Sequence, residues 1–140
     1  MDIEGLKYTI IHYCANRPDV MACYLFGSYA TGTNRPGSDL DMAFLLDVTV
    51  PSTTYNDVRF SLIGELGRIC RLDIHPLIMN TAGELVLDQV FRKGVCLFER
   101  DVEVIRSFRR RKLPLIAEFS YYIDMMRSKL KQRHGDQNHG

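Results

Sequence analysis

Apolar positions recur at two different periods along this chain, and the changes of period outline its elements. Ile3, Leu6, Ile10, Tyr13 and Cys14 stand at helical spacing, which predicts an amphipathic helix over residues 3–16 that ends at Asn16-Arg17-Pro18-Asp19. Residues 20–26 are apolar without alternation, as expected of a strand covered on both faces. After a polar loop at residues 33–38, Asp39-Leu40-Asp41-Met42-Ala43-Phe44-Leu45-Leu46 predicts a second strand. Pro51 punctuates the next connection. Residues 55–69 predict a helix with Val58, Leu62, Leu66 and Ile69 on one stripe, weakened by Gly64 and Gly67. Residues 70–78 alternate as a strand, with Leu72 and Ile74 to one face and Arg71, Asp73 and His75 to the other. Pro76 marks an edge position or the strand's end. Thr81-Ala82-Gly83-Glu84 reads as a capping box for a helix reaching about Arg92, with Gly94 as its C-cap. A short strand follows at 95–98. Residues 101–133 are helical in pattern, with a kink or break at Pro114, and residues 135–140 are expected to be a disordered tail.

At 140 residues the chain suffices for one domain with a proper core, expected to span residues 1–134 with a helical C-terminal region from about 101. The net charge of +1 supplies no global field that would draw it to nucleic acid or membrane. No apolar run has transmembrane length, and Met1-Asp2-Ile3-Glu4 lacks a signal-peptide pattern. Cys14, Cys23, Cys70 and Cys96 are scattered without a C-x-x-C, three of them in apolar runs, which reads as buried free thiols in a reducing cytoplasm.

The candidate chemistry sits between the first two strands. Gly27 permits a sharp turn and close approach of a ligand, and Ser28 suits the N-cap of a short helix beginning near Tyr29. A helix start directly after a strand offers free backbone N–H groups to phosphate oxygens. Asp39 and Asp41, two apart on a strand, share a face. At about 6–7 Å they repel by roughly 2–3 kcal/mol at a near-surface dielectric, and a divalent cation between them relieves that cost. Read alone, the pair is more readily a loop end at Asp39 and a solvated sheet-edge residue at Asp41. Asp73, on a later strand and on its polar face, is the candidate third carboxylate; a surface pair with Arg71 is its plain alternative. Arg35 in the loop could reach a phosphate, and His75 could touch an acceptor, although each also reads as a solvated bystander.

Gly27-Ser28, ten residues, then Asp39-x-Asp41 resembles the G-S-x10-D-x-D signature of the DNA polymerase beta-like nucleotidyltransferases. Average composition gives that pattern by chance in roughly one chain of this length in several hundred. It also falls in the strand–turn–helix–strand context that the motif needs. The resemblance narrows further. Gly27-Ser28-Tyr29-Ala30-Thr31-Gly32, Ser38-Asp39, and Asp88-Gln89-Val90-Phe91-Arg92-Lys93-Gly94 running into Leu97-Phe98-Glu99-Arg100-Asp101 are similar to the minimal nucleotidyltransferases of the MNT group. Many of these are antitoxins paired with HEPN-domain ribonuclease toxins. The similarity covers about residues 5–105. Family members often carry arginine where this chain has Thr31.

The resemblance implies an α/β (α+β) nucleotidyltransferase fold, a short mixed sheet with helices mainly on one face. It implies that Asp39, Asp41 and Asp73 bind two Mg²⁺ ions and act in catalysis, and that Gly27 and Ser28, with Arg35, hold the nucleotide. The implied reaction transfers AMP from ATP to a hydroxyl, as studied members do to a tyrosine of the HEPN toxin, within a hetero-oligomer. Little chain remains for an acceptor pocket, so the acceptor is expected on a partner protein. Two rivals stand beside this reading: an aminoglycoside-type small-molecule nucleotidyltransferase, and a non-catalytic antitoxin that masks its partner. The basic cluster Arg106, Arg109, Arg110, Arg111 and Lys112 reads as a solvated face or as a contact for an acidic partner or RNA. Tyr121, Tyr122, Met125 and Met126 read as core or as a docking stripe.

Overall fold

The two apolar runs that flank the polar loop pair with each other. β1 (Val20–Phe26) and β2 (Leu40–Leu46) run antiparallel, with Phe26 opposite Asp41 and Val20 opposite Leu46. β3 (Ile74–Ile78) joins β2 in parallel and β4 (Val95–Glu99) joins β1 antiparallel, giving the order β3-β2-β1-β4. The structure, a computed structural model, describes residues 2–138.

Helices cover both faces of this sheet. On one, Leu40, Met42, Phe44 and Leu46 of β2 meet α1 (Ile3–Ala15) through Leu6, Ile10 and Cys14. They also meet α3 (Tyr55–Cys70) through Val58, Leu62, Leu66 and Cys70. On the other, Ala22, Tyr24, Ala43 and Leu45 pack with α4 (Glu84–Lys93) and α5 (Val102–Asn138) through Leu87, Val90, Ile105, Phe108 and Ile116. The expectation of helices mainly on one face is therefore corrected. Both side-chain sets of β1 and β2 are apolar, so each needs its own cover, which is also why β1 shows no alternation.

Other differences have local causes. The strand expected from residue 70 begins at Ile74, because Cys70 stands four residues after Leu66 and closes the buried stripe of α3. Ile69, expected on that stripe, is 41% exposed. Arg71 then ends α3 in the left-handed conformation, with φ 56°. The capping box does not form: Thr81 closes a 3-10 turn, Ala82 is extended, and Gly83 is the cap of α4. Gly94 caps the C-terminus of α4 as expected.

Pro114 breaks nothing, since α5 runs through it. The carbonyl that loses its helical donor, on Arg110, belongs to an exposed residue and can take water instead. The helix continues to Asn138 across residues expected as tail, and residues 139 and 140 lie outside the described part. Cys14, Cys23 and Cys70 are buried free thiols, and burial pushes the Cys23 and Cys70 thiols up. Among the described residues no helix is long and apolar enough to cross a membrane.

Candidate nucleotidyl-transfer site

β1 ends at Phe26, and the chain must turn at once to reach the loop before β2. Gly27 makes the turn at φ 72°, ψ −152°, a region closed to most side chains. It is the cap of α2 (Ser28–Thr31), so Ser28 is the first helical residue and not the side-chain cap that the sequence suggested. The N–H groups of Ser28 and Tyr29 have no intrahelical acceptor at this end. A Cβ at Gly27 would overlap Asp41 Oδ2 and stand 3.1 Å from its carboxyl carbon. The missing side chain thus leaves the space in which the Asp41 carboxylate sits against the turn.

Alternation fixes the direction of the acidic groups. Leu40 and Met42 point into the α1/α3 core, so Asp41 points to the opposite face, and Asp39, two residues earlier, shares it. The parallel register sets Asp41 beside His75 and Leu40 beside Ile74. The Leu40 N–H donates to the Asp73 carbonyl at 2.8 Å, which carries that register one step back and sets Asp73 beside Asp39. Residues 73, 75 and 77 therefore turn their backbone polar groups to β2. The missing N–H of Pro76 faces the open edge, where a proline costs no ladder bond.

Asp39, Asp41, Asp73 and His75 thus lie on one face at the entry to two neighbouring strands. Asp41 is partly buried and Asp39 and Asp73 are exposed. His75 Nδ1 stands 3.4 Å from Asp41 Oδ1. This contact was not foreseen; its signal was the Asp73-x-His75 alternation together with the parallel register. No ion pair joins Arg71 to Asp73 among the described residues.

The all-oxygen carboxylate set suits a hard cation such as Mg²⁺. Among the described residues no three His, Cys, Asp or Glu side chains are gathered closely enough to hold a metal as they stand.

Arg35 opens the turn at residues 35–38. Pro36 and Gly37 (φ 84°) occupy its centre, Ser38 N–H donates to the Arg35 carbonyl at 2.9 Å, and Arg35 N–H donates to Ser38 Oγ at 2.8 Å. Arg35 is exposed, with a free guanidinium among the described residues. Thr31 turns its hydroxyl back onto the Gly27 carbonyl at 3.3 Å and Thr33 Oγ1 at 2.9 Å, so it offers no cation. Two grooves border the constellation. One of about 750 Å³ touches Tyr29, Gly32 and Arg71, and one of about 510 Å³ touches Ser38, Arg71 and Asp73. A third, of about 700 Å³ between α1 and α3, touches none of Asp39, Asp41 and Asp73.

Known proteins share this fold. Residues 8–103 match the family described as polymerase beta, nucleotidyltransferase. The protein adenylyltransferase MntA of Shewanella oneidensis is 32% identical over 79 residues, 56% of this chain and 54% of that protein, so the match spans about half of its length. A crystal structure of a toxin–antitoxin with AMP-PNP contains a similar chain: TM-score 0.70, 22% identity, covering 89% of this chain and 97% of that one. A tri-AMPylated Shewanella oneidensis HEPN toxin in complex with MNT antitoxin gives TM-score 0.67 at 19% identity, covering 92% and 98%. The matched family segment runs from α1 to the start of α5 and includes Gly27, Asp39, Asp41 and Asp73, and the chain belongs to the polymerase beta-type nucleotidyltransferase family.

Proposed function

We propose that the chain is a protein adenylyltransferase that moves AMP from ATP onto a tyrosine hydroxyl of a HEPN-domain ribonuclease, and so acts as its antitoxin in the cytoplasm. The observation that carries this is the seat of Asp41 against the Gly27 turn, which sets a hard oxygen donor directly beside the start of α2. The relative in Shewanella oneidensis is named a protein adenylyltransferase, and the HEPN toxin in the complex with MNT antitoxin is tri-AMPylated. Both support carrying the activity to this chain.

In the proposed reaction the N–H groups at the start of α2, with Ser28 and Arg35, hold the β- and γ-phosphates. Asp39, Asp41 and Asp73 would hold the two Mg²⁺ ions, which would supply charge neutralisation to the transfer. The tyrosine oxygen attacks the α-phosphorus as the bond to pyrophosphate breaks, and Asp73 takes the hydroxyl proton. Asp73 is exposed beside the edge strand β3, where a tyrosine side chain of the partner would reach it.

The masking-antitoxin reading draws on Thr31, whose hydroxyl is spent inside α2. The two separate on labelling. ATP carrying label at the α-phosphate should transfer it to the co-encoded HEPN protein, while ATP labelled at the γ-phosphate should not. Labelling from neither contradicts the adenylyltransferase.

A further inference from the structure

α5 is 37 residues long, about 55 Å at the helical rise, yet its last residue buried on the sheet is Ile116. From residue 117 to 135 no side chain is buried. A helix surrounded by water has no use for an ordered apolar seam, and this one has a regular seam. Ile116, Phe119, Ile123, Met126 and Leu130 follow one another at steps of three, four, three and four, the a/d spacing of a coiled coil. Phe119 is 36%, Met126 59% and Leu130 55% exposed. α4 flanks the start of the seam, leaving a groove of about 210 Å³ where Leu85, Phe119 and Ile123 meet the charges of Glu84, Asp88, Arg92, Asp124 and Arg127.

The charges beside the seam select the occupant. Arg127 and Lys129 fall at the e and g positions, with Lys131 and Arg133 just beyond, and none has an ion-pair partner among the described residues. A second copy laid antiparallel on the seam would set Arg127 and Lys129 against themselves. A helix with apolar a/d residues and carboxylates at e/g meets both the seam and its flanks. We propose that the second half of α5, past this groove, is the dock for an acidic amphipathic helix of the protein that receives AMP. This rests on the adenylyltransferase reading for the identity of the partner. It also separates catalysis, at the entry to β2 and β3, from partner capture on α5.

The test is the affinity of the full chain for the co-encoded HEPN protein, by titration calorimetry at fixed salt. Met126→Glu/Leu130→Glu should weaken it by on the order of thirtyfold or more, since centrally buried apolar contacts dominate such interfaces. Arg127→Glu/Lys129→Glu keeps the seam and should weaken it by about tenfold, with a shallower salt dependence. Tyr121→Ser, on the outward side of α5, should bind like the parent. All three should retain the thermal shift given by Mg²⁺ and ATP, which reports an intact domain. Parent-like affinity in both double variants overturns the proposal, as does a parent dimer that Met126→Glu/Leu130→Glu dissolves. Tight binding by the parent without AMP transfer contradicts the activity and leaves the dock standing. Transfer with unchanged KM in the double variants overturns the dock alone.

Discussion

Gly27→Ala tests the link between the turn and the carboxylate. The new methyl meets two obstacles. The backbone at φ 72°, ψ −152° is nearly closed to alanine, a strain of about 1–3 kcal/mol. For a chain of this size that lowers the melting temperature by roughly 3–15 °C. The methyl also overlaps Asp41 Oδ2, which must withdraw by about 1 Å to reach ordinary contact, a displacement that costs on the order of a hundredfold in rate at a reacting centre. Gly37→Ala is the internal control. Its φ of 84° imposes similar strain, but nothing lies within 4 Å of the added methyl. Melting curves with and without Mg²⁺ and ATP, alongside AMP-transfer rates, separate the two effects. Both variants should melt lower. Only Gly27→Ala should lose the ligand-induced shift and most of the activity. Equal activity in the two variants would refute the argument that the turn exists to seat Asp41.

Asp41→Asn should abolish the melting shift that Mg²⁺ and ATP confer, because a ligand bound only by the native state stabilises it; without ligand the variant should melt at or above the parent, the repulsion with Asp39 being gone. Arg100→Ala should destabilise by about 1–3 kcal/mol while sparing the ligand-induced shift, because its guanidinium donates to the carbonyls of Cys14, Arg17 and Val20 at 2.8–3.0 Å, far from the acidic residues. Alkylation at pH 8 should be slow at Cys23 and Cys70, whose thiols are buried and pushed up by that burial, and should quicken in denaturant.

What the sequence revealed follows from how local each signal was. The β1–turn–β2 unit was legible because its two apolar runs, its glycine and its acidic pair lie within 27 residues of one another and answer to backbone sterics. The start of β3 was not. Cys70, Arg71 and Leu72 satisfy a strand's alternation, while Cys70 also satisfies the stripe of α3, and only the packed core chooses between them. Likewise Thr81 could have capped α4, but Asn80 beside it is tied to the backbone of Leu46 through both amide atoms, and the chain is held in a 3-10 turn there. The contact of His75 with Asp41 depends on the register between two strands 34 residues apart, which no local pattern encodes. The second covering layer escaped notice because α4 and α5 reach the sheet only through tertiary contacts.

The central claim is that Asp41, seated at the Gly27 turn, acts with Asp39 and Asp73 in transferring AMP to a partner protein. Intact-mass spectrometry of the co-encoded HEPN protein, after incubation with ATP, Mg²⁺ and this chain, measures it directly. The account predicts a gain of one or more AMP units, carried on a tyrosine and absent with Asp39→Asn/Asp41→Asn or when EDTA removes the metal. No mass gain with the parent, while Asp39→Asn/Asp41→Asn still neutralises the toxin, would contradict it.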